Sequence, residues 1–150
     1  MKSIYALAAA TCIVALIAST ESTRAQVGSG LSDLNQVPES QLATMPGMTP
    51  AIAKAFVEAR PFPTIVEAHA FLTGQKVPAE QLTALYEKAF VHLNLNTATG
   101  PEILLVPRIA KRMTREFEEY RPWVTMAQFD KEIGKYVGAE ETNRLKQYVF

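Results

Sequence analysis

Apolar side chains recur along this chain at helical spacing, and the runs they form end at proline or glycine, a pattern of many short helices rather than strands. Ile52, Ala53, Phe56 and Val57 share one face of a helix that begins at Thr49, whose hydroxyl can cap the first amides, with Pro50 at the first helical position. That helix stops before Pro61 and Pro63. Thr64-Ile65-Val66-Glu67 then has the residue order of a capping box and opens a third helix. Segment 39–44 predicts a short first helix, joined to the second by the turn Met45-Pro46-Gly47-Met48. Segment 79–91 predicts a fourth, carrying Leu82, Leu85 and Ala89 inward.

The same pattern comes twice. Sliding the chain by 61 positions sets Leu34-Asn35 on Leu95-Asn96, Pro46 on Pro107, Phe56 on Phe117, Glu58 on Glu119, Arg60-Pro61-Phe62 on Arg121-Pro122-Trp123 and Thr64 on Thr125. One residue of adjustment near Thr73 sets Gly74 on Gly134, Val77 on Val137, Leu85 on Leu145 and Phe90 on Phe150. Thr125-Met126-Ala127-Gln128 repeats the cap, and segment 139–149 turns Leu145 and Val149 inward. The fold class predicted is all-α, with two tandem units, 34–92 and 93–150, of about four short helices each. Units of ~60 residues bury a modest share of their surface, so the copies are expected to pack on each other.

Segment 1–25 differs from the rest. Lys2, an apolar stretch over 4–18, and Thr23-Arg24-Ala25, with small residues three and one positions before Gln26, form the pattern of a cleaved secretory signal. Glu21 and Arg24 keep an uncleaved membrane anchor open as the alternative. Residues 26–33 are a linker containing Gly and Ser. The expectation is an exported protein, periplasmic or secreted, whose mature form starts at Gln26.

Composition narrows the chemistry. With 48% hydrophobic and 20% charged residues the chain is too apolar for intrinsic disorder. Without the signal it keeps 13 basic and 14 acidic residues, a net charge of −1, which excludes a strongly basic binder. The one cysteine, Cys12, lies in the signal, so the mature chain has no material for a disulfide or a thiolate metal site. His69 and His92 lie 23 positions apart without acidic companions at ligand spacing, and no nucleophile, base and orienter fall together. No metal, cofactor, small-molecule substrate or catalytic residue is expected. Phe62 and Trp123, each after Arg-Pro, read as core rather than as a base-stacking platform.

Leu95-Asn96-Thr97-Ala98, a capped short helix, a Val-Pro turn and a helix ending in Tyr120-Arg121-Pro122-Trp123 together resemble the helix-hairpin-helix module of the ComEA (competence protein) family. The resemblance covers both copies, Leu34 to Phe150. Its best hairpin match is Leu42-Ala43-Thr44-Met45-Pro46-Gly47-Met48-Thr49-Pro50-Ala51-Ile52-Ala53. It implies two tandem helix-hairpin-helix repeats and sequence-independent binding of double-stranded DNA through its phosphate backbone. The physical reason for such a hairpin is anion binding: glycines permit a tight turn and close approach, while the next helix offers free amides and the positive end of its dipole.

The two copies carry this pattern differently. The first keeps Gly47 but has Thr49 where the second glycine belongs, and Pro50 removes an amide. Thr49 can donate to a phosphate or simply cap the helix, and Lys54 is the nearby cation. The second has Arg108 and Ala110 in place of both glycines, so less backbone freedom is expected. It offers instead Arg108, Lys111, Arg112 and Arg115, whose side chains can take over phosphate contacts. Against that stands a solvated face, with Arg112–Glu116 and Arg115–Glu119 spaced for intrahelical pairs. Two readings follow, an exported duplex-binding protein using Gly47, Thr49, Lys54, Arg108, Lys111, Arg112 and Arg115, or a non-catalytic module that binds a protein partner through a decayed form of the fold.

Overall fold

The computed structural model describes residues 30–150, so segment 1–25 and most of the linker lie outside it. Among the described residues the chain is all-α, with seven helices and two strands of two residues each. In order these are β1 (Ser32–Asp33), α1 (Glu39–Leu42), α2 (Pro50–Ala59), α3 (Ile65–Gly74), α4 (Ala79–Tyr86), β2 (Ala89–Phe90), α5 (Gly100–Leu104), α6 (Arg112–Glu119) and α7 (Met126–Lys146). No helix among them is long and apolar enough to cross a membrane.

The helix starts follow from the capping residues. Thr49 Oγ1 accepts from the Ile52 amide at 3.2 Å, Thr64 Oγ1 from Glu67 at 3.2 Å and Thr125 Oγ1 from Gln128 at 3.1 Å. Gln128 does not complete a capping box; its side-chain oxygen accepts from the Val124 amide instead, at 3.0 Å. At Thr99 the Glu102 carboxylate accepts from both the Thr99 amide and its hydroxyl, at 2.7 and 2.6 Å.

The ends of the units depart from the helical expectation. The fourth helix stops at Tyr86, and Ala89-Phe90 becomes β2, which pairs in parallel with β1 in the register Ser32–Ala89 and Asp33–Phe90. Ser32 and Asp33, expected in the linker, thus belong to the folded unit. An equivalent parallel bridge joins Leu93 to Val149, and the Leu34 and Leu95 amides donate to the Phe90 and Phe150 carbonyls at 3.1 Å each. In the second half the third and fourth helices run together as α7, broken only at Gly138, whose φ of +78° lies in the left-handed region that favours glycine.

Several polar contacts recur between the halves. Asn35 Oδ1 accepts from the Phe62 amide and its Nδ2 donates to the Phe62 carbonyl, at 2.8 and 3.0 Å. Asn96 does the same to Trp123, at 2.7 and 3.0 Å. Arg60 donates to the Val37 carbonyl, and Arg121 to those of Leu95 and Ala98. The Arg-Pro-aromatic segment is therefore a structural clamp, and Phe62 and Trp123 are buried as expected.

One hydrophobic cluster runs through both halves. At the seam Phe90, fully buried, meets the Tyr86 ring at 5.6 Å and the Tyr148 ring at 5.1 Å, both edge-on. The seam is not filled everywhere. A cavity of about 240 Å³ remains between α4 and the 104–109 segment, lined by Leu82, Tyr86, Leu105, Val106, Arg108 and Ile109 among others.

Candidate nucleic-acid interface

The first turn is held by the Met48 amide donating to the Met45 carbonyl at 3.1 Å, with Gly47 at φ +72°. A Cβ at Gly47 would lie 2.5 Å from Val77 Cγ1 and 3.1 Å from Gln81 Cβ. Glycine is needed here first for close packing of the turn on the start of α4. Thr49 acts as a cap, and with Pro50 behind it the amides left without an acceptor among the described residues are those of Gly47, Thr49 and Ala51. A groove of about 400 Å³ borders the turn, lined by Met45, Met48, Ile52 and Gln81 and edged by Lys76. Lys54 is exposed one turn into α2. Lys76 escaped the sequence reading because it follows α3, far along the chain from the turn.

The second turn is built the same way without glycine. The Ile109 amide donates to the Val106 carbonyl at 3.2 Å, and Arg108, at the position equivalent to Gly47, takes a φ of +60°. Arginine has less backbone freedom than glycine, and it takes this conformation at a cost of about 1–2 kcal/mol. The chain then enters α6 through Lys111, which is already helical and has no side-chain cap. No proline intervenes. The amides of Ala110, Lys111 and Arg112 have no acceptor among the described residues, so this helix start is the more open of the two.

The four cations meet different fates, although all are exposed. Arg108 Nε lies 3.5 Å from Glu87 Oε1 of the first half, and Arg115 pairs with Glu119 at 3.9 Å, as its spacing predicted. Lys111 has no partner among the described residues. Arg112 does not pair with Glu116 as expected; its Nη2 donates to the Tyr136 carbonyl at 3.1 Å. Glu116 is buried instead. The Tyr136 hydroxyl, 2.9 Å from that of Tyr120, is held above the usual phenol range first by this hydrogen bond and then by one to Glu116. Spacing alone cannot reveal this network, because Tyr136 comes from a different helix.

His69 Nδ1 lies 2.9 Å from the Tyr86 hydroxyl, and burial lowers the pKa of both His69 and His92. Among the described residues no three His, Cys, Asp or Glu side chains gather as a metal site would require. Comparison with known protein families, with curated proteins and with solved structures yields no match to this chain.

Proposed function

We propose that this chain is an exported, non-catalytic protein that holds double-stranded DNA by its phosphate backbone, in the manner of the ComEA-like helix-hairpin-helix family it resembles. The observation carrying the reading is the second turn. Arg108 at φ +60° reproduces the Gly47 conformation and leads into an uncapped helix whose first amides face no acceptor among the described residues. Unpaired amides, the helix dipole and the side chains of Lys111, Arg112 and Arg115 then act on one anion. Gly47, Thr49 and Lys54 form a weaker second contact, because Pro50 and the Thr49 cap consume part of its donor set. Such contacts read backbone rather than bases. Glu118 and Glu119 lie close by on α6 and are exposed, so the attraction is short-ranged in salt.

Binding to two unrelated duplexes is the test. The expected affinity is the same for both, about 10⁻⁴ to 10⁻⁶ M near physiological salt, and rises steeply as salt is lowered. Absence of binding at low salt sinks the reading.

One observation favours the protein-interaction alternative. Val124, Met126 and Phe150 are 78%, 38% and 50% exposed around a cavity of about 210 Å³ floored by Leu95 and Trp123. Clustered apolar exposure of this kind marks interaction surfaces. A chain indifferent to DNA whose association with a protein partner is lost on Val124→Asp would establish that reading.

A further inference from the structure

Arg108 ties the second turn to the first half of the chain. Its backbone forms the tip of the second turn, beside the unpaired amides of α6, while its guanidinium reaches back to the first half. Glu87, the residue that ends α4, receives it at 3.5 Å. Among the described residues this is the ion pair that crosses the seam; the others join side chains within the second half. Arg108 also lines the cavity left between α4 and the 104–109 segment, where apolar packing is incomplete.

We infer that Glu87 is an internal competitor for the phosphate site, so that a duplex engaging the second turn must take Arg108 away from it. The inference rests on the DNA-binding reading above and adds a control to it. A carboxylate and a phosphate oxygen present the same kind of acceptor to a guanidinium, and the phosphodiester also collects the amides of Ala110, Lys111 and Arg112, which Glu87 does not engage. Both partners of the pair are exposed, so the pair is weak enough for phosphate to displace. Glu87 thus sets a threshold rather than a block, and occupancy of the turn loosens the seam because the crossing ion pair opens.

The experiment compares duplex affinity at low salt for the wild-type chain, Glu87→Gln, Arg108→Ala and the double variant, with Glu80→Gln as a charge control on the same helix. Glu87→Gln is expected to bind about two- to fivefold tighter, the factor an exposed ion pair can supply. Glu80→Gln changes affinity by less than about half as much, through the general field alone. In the Arg108→Ala background Glu87→Gln gains no more than Glu80→Gln does. Wild-type binding with Glu87→Gln no tighter than Glu80→Gln, or an equal gain with and without Arg108, overturns the competition and leaves the DNA reading standing. Failure of the wild type to bind at low salt overturns the DNA reading itself, and the competition with it.

Discussion

Replacing Arg108, Lys111, Arg112 and Arg115 together with alanine is expected to flatten the dependence of log affinity on log salt by about two to four units, at ~0.9 unit for each phosphate neutralised. The spread reflects what the structure does with each cation. Lys111 is unengaged among the described residues and contributes fully, whereas Arg112 also holds the Tyr136 carbonyl and Arg115 also pairs with Glu119. The variant should keep its fold, since all four side chains are exposed and Phe117 and Met113 of the same segment, which are buried, remain. An unchanged slope in a chain whose thermal melt is intact would mean that another surface carries the phosphate.

Phe90→Ala is expected to cost about 3–5 kcal/mol, the range for emptying a fully buried aromatic site. Its ring lies between Tyr86 and Tyr148, so the loss falls on the seam where the halves meet. Phe150, the residue that the sequence alignment equates with it, is 50% exposed and should cost less than about 1 kcal/mol on truncation. Denaturation midpoints of the two variants decide this. Because one cluster joins the halves, the wild type should unfold in one cooperative transition. Equal costs at Phe90 and Phe150, or two separate wild-type transitions, would show that the halves are independent.

Much of the fold was legible because capping threonines and prolines punctuate it. Thr49, Thr64 and Thr125 each cap the helix that residue type and position predicted, and Phe56, Leu82, Leu85 and Leu145 turn inward as their spacing required. The strands were not legible, since two residues give no alternation to detect. Ala89-Phe90-Val91 is an apolar run that continues a helical pattern equally well, and only pairing with Ser32-Asp33 makes it extended.

The candidate site divides in the same way. Residue type located the cations, but their partners depend on tertiary neighbours. Glu116 stands at pairing distance from Arg112 along the helix, yet burial and the Tyr120–Tyr136 contact take it elsewhere. A left-handed arginine has no sequence signal either. Read as a lost glycine, Arg108 implied less backbone freedom, and the surrounding chain nonetheless holds it at the glycine geometry.

Phosphate held at the start of α6 is open to direct test by amide proton–nitrogen spectra recorded during titration with a short duplex. The largest shifts are expected at Arg108, Ala110, Lys111 and Arg112, with smaller ones at Gly47, Thr49 and Ala51. Shifts confined to Val124, Met126 and Phe150, or no shifts at all at low salt, would contradict that placement.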